Sequence, residues 1–319
     1  MRYRRRPGDA VPSLRVPAQS EDRFYNDTLR EALRVALTGK TAELERLLCL
    51  LGAVVTTRPN LKLAAAFGAE MAACGEPAAP LLTRLAGDDA APDTDRAFLP
   101  IAAAHGWAGR IRAGRDVESA WAALAELAAD ERAPVRLGTV GALVALGARE
   151  GGADELVARA RSWLGNEDRE RRFGAAAVVV ETLAEGRVLS EVREPDALLE
   201  YLEAIIAEVA GASRSAERSA ARRRLLASLP RALAAVVAST GRGDHARRWF
   251  EAECVAAVHP DLRQVLSRTV VTLRAPSYGQ NSTVIDELQK SLASSAKPLR
   301  DPTRLRPGTG RGKASRRTR

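Results

Sequence analysis

The sequence predicts an all-α protein, built as an α-solenoid of stacked antiparallel helix pairs with disordered basic tails. Three observations carry that expectation. Apolar residues make up 46% of the chain but aromatics only 4%, and the apolar share is dominated by Ala, Leu and Val, which suits closely packed helices better than a sheet. Apolar side chains recur at helical spacing through most of the chain, and even Val178-Val179-Val180 sits inside a longer helical run. From about Thr94 onward, glycine stops alternate with proline or polar starts, the pattern of stacked helical hairpins.

In order along the chain, a first helix spans about Asp22 to Leu37, with Leu29, Leu33, Ala36 and Leu37 on one face and Thr38-Gly39 as its stop. Thr41 is placed to cap a second helix carrying Leu44, Leu47, Leu48, Leu51 and Val55, which Arg58-Pro59 ends because a residue before proline avoids the helical region. Asn60 caps Leu61 to Ala73, with Gly75 as the stop, and Pro77 to Leu85 forms a short helix ended by Gly87. The regular part then runs Thr94 to His105 with Gly106 as stop, an Asp116-capped helix bearing Trp121 and Leu124, Pro134 to Leu146 with Gly147 as a left-handed cap, and Asp154 to Leu164. Helices follow from Asp168 to Ala184 and from Pro195 to the Gly211 stop. Ser215 opens a basic helix that Pro230 restarts or kinks, and Gly241-Arg242-Gly243 breaks the chain before Asp244 to Val258. His259-Pro260 enters a helix, and Ser282 to Leu292 is the last one. Val135, Leu143, Trp121, Leu124, Val179, Leu202 and Ile206 are the expected core.

Aligning Arg136 with Arg172, an offset of 36, superposes Leu137 on Phe173, Gly138 on Gly174 and Leu143 on Val179. Aligning Arg263 with Arg136 places Leu262 on Val135 and Val270 on Leu143. The stretch Glu131-Arg132-Ala133-Pro134-Val135-Arg136, with its echoes at residues 167–172 and 260–263, resembles HEAT repeats over about residues 94–275. That resemblance implies a curved rod of helix pairs. It also implies that Arg136, Arg172 and Arg263 are ladder arginines bonded to an acid in a neighbouring turn, with Asp130 and Asp168 as candidate partners. The turn acid is not at one offset, since Asp130 aligns with Asn166 and with Ala257.

The net charge of +9 is unevenly placed. Residues 1–20 carry +4 and residues 297–319 carry +8, which leaves 21–296 at −3. The chain therefore divides into a basic disordered N-terminal arm (1–20), a helical-repeat body (21–296) and a basic disordered tail (297–319), and the high pI is no argument for a basic groove in the body. In the tail, Arg300, Arg304, Arg306, Arg311, Lys313, Arg316, Arg317 and Arg319 are candidate polyanion-binding residues. The body offers Trp249, beside Arg247 and Arg248, as a candidate surface aromatic, and Arg222-Arg223-Arg224 as a charge run that reads as a solvated face.

Cys49, Cys74 and Cys254 lie far apart without a Cys-x-x-Cys pair, so neither a disulfide framework nor a zinc site is indicated, and a cytoplasmic location is expected. No apolar run approaches a membrane span. With three histidines and no recognisable acid–base set, no catalytic residue, metal or cofactor is assigned. Two functions remain. The first is a non-enzymatic scaffold that binds a protein partner, with arginine-rich tails that contact nucleic acid or another polyanion. The second is a DNA-binding repair protein resembling the HEAT-like alkylpurine DNA glycosylases.

Overall fold

The computed structural model describes residues 18–52, 59–212, 216, 218–239, 243–278 and 282–294, the backbone alone at 18–26, 243, 282 and 294. Among these the chain is entirely helical. It forms fifteen α-helices, 3₁₀ turns at Asp95–Ala97 and Pro276–Tyr278, and no strand. The chain divides into two compact units: Met1–Leu146 with Asn166–Val179, and Gly147–Gly165 with Val180–Arg319.

Unit 1 contains α1 (Ala18–Ala36), α2 (Ala42–Gly52), α3 (Leu61–Ala73), α4 (Ala78–Ala86), α5 (Phe98–Arg112) and α6 (Val117–Ala128). It also holds nearly all of α7 (Ala133–Gly147) and the first part of α9 (Arg169–Leu183). Helix α5 is its axis, packed on α2, α3, α4 and α6. Every residue of α5 from Phe98 to Ile111 is buried, including the polar His105 and Arg110, as befits a helix surrounded by others on all sides. The sequence expectation ended this helix at Gly106, but it continues to Arg112. Gly106 is a packing residue rather than a stop: a Cβ there would lie 2.3 Å from Leu82 Cδ2. One turn on, a Cβ at Gly109 would lie 2.0 Å from the Gly68 carbonyl oxygen of α3, so these two helices touch backbone to backbone.

Asn60 caps α3 as expected, its side chain accepting from the Leu63 N–H at 3.1 Å. Asp116 does not cap α6. It sits in the left-handed region at φ 49° and has no capping bond, because its carboxylate is taken by the buried Arg110, whose Nε donates at 2.8 Å. The Arg110 fork also reaches the Cys74 carbonyl at the end of α3, which Arg115 bonds as well. Gly147 is the last residue of α7 and not a left-handed cap.

Unit 2 contains α8 (Gly152–Trp163), the single turn α10 (Gly186–Leu189), α11 (Pro195–Ala210), α12 (Ala220–Ala238), α13 (Gly243–Ala256), α14 (Pro260–Leu273) and α15 (Ser282–Ser294). Within it a Cβ on Gly147 would lie 2.9 Å from Val188 Cγ1, so that position too is a close approach. Helix α12 packs mainly on α14, with α13 beside both it and α11, and α15 lies on α13 and α14. Ser219 caps α12, accepting from the Arg222 N–H at 3.0 Å, and the helix runs through Pro230 without ending. His259 caps α14, where Pro260 fills the first position that needs no N–H. Of the expected core, Val135, Leu143, Trp121, Leu124, Val179 and Leu202 are buried. Ile206 is only half-buried, and its neighbour Ile205 takes the core position. Helix α1 begins at Ala18, so the last three residues of the expected arm (1–20) are helical and the first helix starts before Asp22. The expected elements at Val55 to Arg58, Ser215, the 241–242 break, residues 1–17 and the C-terminal tail lie outside the described residues.

Candidate ligand-binding groove

Arg136, Arg172 and Arg263 each occupy the fourth position of a helix, α7, α9 and α14. Each donates from Nη1 to the backbone carbonyl six residues earlier: Arg136 to Asp130 at 2.9 Å, Arg172 to Asn166, and Arg263 to Ala257 at 3.3 Å. Arg136 and Arg172 also reach the next carbonyl, of Glu131 and Glu167. Arg263 extends Nη2 to the Leu292 carbonyl of α15 at 3.2 Å. A main-chain acceptor makes no demand on the side chain it belongs to, which explains why Asp, Asn and Ala share that position.

The carboxylates named as partners have other work. Asp130 takes the Arg132 backbone N–H at 2.7 Å and its guanidinium at 2.7 Å. Arg132 in turn donates to the Asp88 and Ala90 carbonyls at 2.7 and 3.0 Å, tying the turn before α7 to the loop after α4. Asp168 accepts from the Glu170 N–H at 2.9 Å and so caps α9.

Trp249 is half-buried on α13, and its indole N–H donates to Glu203 of α11 at 2.8 Å. The same carboxylate, together with burial, pushes the Glu253 carboxyl above its ordinary range; burial is the larger cause. The three histidines are also engaged structurally. His245 Nε2 lies 2.9 Å from Asp196, and His259 Nδ1 accepts the Asp261 N–H at 3.2 Å. His105 is 6% exposed on α5, and its pKa is pushed down to about 4, first by burial and then by the Arg112 charge. All three cysteines are free thiols. No helix among the described residues is long and apolar enough to cross a membrane. The tail candidates from Arg300 to Arg319 lie outside the described residues.

The run Arg222-Arg223-Arg224 does not share one fate. A helix turns by about 100° per residue, so Arg222 falls on the same face as Leu225 and Leu229 and is 2% exposed, while Arg223 is exposed and Arg224 half-buried. Arg222 Nη1 donates to Asp261 at 2.8 Å and binds the start of α12 to the start of α14. Its Nη2 is 3.4 Å from the Val209 carbonyl, and its buried Nε–H has no partner. These residues line a groove of about 290 Å³ whose walls are Arg222, Arg223, Leu226 and Ala227 from α12 and Asp261, Gln264 and Arg268 from α14. The spacing 261, 264, 268 is one stripe of a helix. Three guanidinium groups face one carboxylate, so the lining carries a net charge of +2, and Asp261 is already paired with Arg222. The periodicity of Arg222 with Leu225 and Leu229 was the available signal; a count of charges in the run concealed it.

No protein-family model matches the chain, and no curated protein matches it. The groove therefore has to be understood from its own chemistry: a cationic, open slot whose floor is a buried, carboxylate-anchored arginine. It can bind an anion, and it presents no nucleophile beside a base.

Proposed function

We propose that the chain is a non-enzymatic helical-repeat scaffold, a HEAT-like solenoid of stacked helix pairs, that binds a protein partner. The observation that supports this best is the recurrent arginine. At the fourth position of three helices it bonds the carbonyl six residues back, so one helix–turn design is used at least three times, and repeated helix pairs are the usual basis of extended protein-binding surfaces. The body's mixed charge, −3 over residues 21–296, suits a protein ligand better than a polyanion spread along the whole surface. The arginine-rich ends add sequence-independent attraction to nucleic acid or another polyanion.

The test is affinity purification of the full chain from its native cell with and without nuclease. A stoichiometric protein retained after nuclease treatment supports the scaffold. If only nuclease-sensitive material is retained, the reading passes to a DNA-binding protein resembling the alkylpurine glycosylases.

A further inference from the structure

We infer that the groove between α12 and α14 is the docking site for a phosphorylated side chain of the protein partner, an inference that rests on the protein-binding reading above. Arg222 is the fixed element, because Asp261 holds its guanidinium and the surrounding core excludes water from it. Arg223 and Arg268 are the free elements. Both are exposed, both line the groove, and neither guanidinium group donates a hydrogen bond or forms an ion pair among the described residues. Two unpaired guanidinium groups on one slot repel each other until an anion lies between them.

The size and charge of the slot select among anions. A phosphate monoester brings a charge of about −1.5 to −2 and three acceptor oxygens, which matches the net +2 of the lining. A carboxylate brings one charge and leaves one guanidinium unmatched. The N-terminal ends of α12 and α14 meet at the Arg222–Asp261 bond, so two helix dipoles add positive potential at the same end of the slot. The exposed Ala227 and Gln264 leave the walls open, so a polypeptide can continue past the docked group on either side. A free metabolite would gain little from so open a site.

The experiment uses the full chain and isothermal titration. The probes are a short alanine–glycine peptide with one phosphoserine, its unphosphorylated twin, inorganic phosphate and a random DNA duplex. The phosphopeptide is expected to bind more tightly than inorganic phosphate, and the twin not to bind. The double variant Arg223→Ala/Arg268→Ala should weaken the phosphopeptide by about tenfold or more, given the strength of charge-assisted bonds. Arg231→Ala, an exposed arginine paired with Glu185 elsewhere on α12, should change it less than twofold. Gln264→Glu should weaken binding through like charge without removing any arginine, and Arg223→Lys/Arg268→Lys should retain an intermediate affinity.

Unchanged binding in both the double variant and Gln264→Glu overturns the proposal. Inorganic phosphate binding as tightly as the phosphopeptide overturns it in favour of a free-anion site. Displacement of the peptide by duplex, with duplex affinity falling in the double variant, overturns it in favour of nucleic acid. If the groove fails these tests while a protein is still retained after nuclease treatment, the scaffold reading survives and only the docking site is lost.

Discussion

Acidification should destabilise unit 1 through His105. The imidazole is 6% exposed on α5, its Nε2 has no hydrogen-bond partner, and a Cβ on Gly141 would lie only 3.3 Å from that atom. Burial and the Arg112 charge lower its pKa from 6.5 to about 4, against a bond to the Gly138 backbone that works the other way. Between those two values the unfolded chain binds a proton that the folded chain refuses. The stabilisation is therefore complete above pH 6.5 and is lost as pH falls toward 4. The full difference is worth about 3 kcal/mol, of which about 2 kcal/mol falls between pH 7 and pH 5. Urea unfolding of the full chain at pH 7, 6 and 5 checks this, followed by tryptophan fluorescence, to which Trp107 and Trp121 contribute from unit 1. The variants His105→Gln and His105→Leu remove the titration while keeping comparable volume. They should be less sensitive to pH over this window by about 2 kcal/mol, whatever their stability at pH 7. Parallel decline of wild type and both variants would refute the reasoning, since the pH dependence would then belong to other groups.

Three further outcomes are expected. Gly109→Ala should destabilise the protein by about 1 to 3 kcal/mol despite its better helix propensity, because its Cβ meets the Gly68 carbonyl at 2.0 Å; Gly186→Ala, with nothing within 4 Å, should be neutral or stabilising in the same thermal melt. Leu143→Ala, at 0% exposure, should cost about 2 to 5 kcal/mol in chemical denaturation, and a loss under half of the lower figure would mean the site collapses around the smaller side chain. A version ending at Ala296 lacks the tail that carries +8; if the tail neutralises six phosphates, full-length protein loses duplex affinity with a salt slope of roughly −5, and truncation should flatten that slope.

Much of the helical order was legible because it depends on local chemistry. The Asn60 cap, the Pro195 and Pro260 starts and the Gly87 and Gly211 ends needed only a few neighbouring residues. Glycine was the ambiguous letter. Gly106 has the same local signature as a helix stop, yet its role is set by Leu82, more than twenty residues away, and no window along the chain contains both. Asp116 shows a different limit: Arg110 is only six residues away, but its burial, which depends on the packing around α5, is what draws the Asp116 carboxylate from capping. The groove was hidden for a third reason. Helical periodicity separates Arg222 from Arg223 and Arg224, but the second wall comes from α14, and Asp261, the partner of Arg222, lies 39 residues on.

The arginine bond to a carbonyl six residues upstream acts as a ruler laid across each turn. It measures the length of the connection and is indifferent to its wording, so Asp130, Asn166 and Ala257 serve equally well as the far mark. Inserting or deleting one residue between mark and arginine would misalign the fork, whereas rewriting the intervening side chains would leave it in register. A turn specified in this way can drift in composition while its geometry stays fixed.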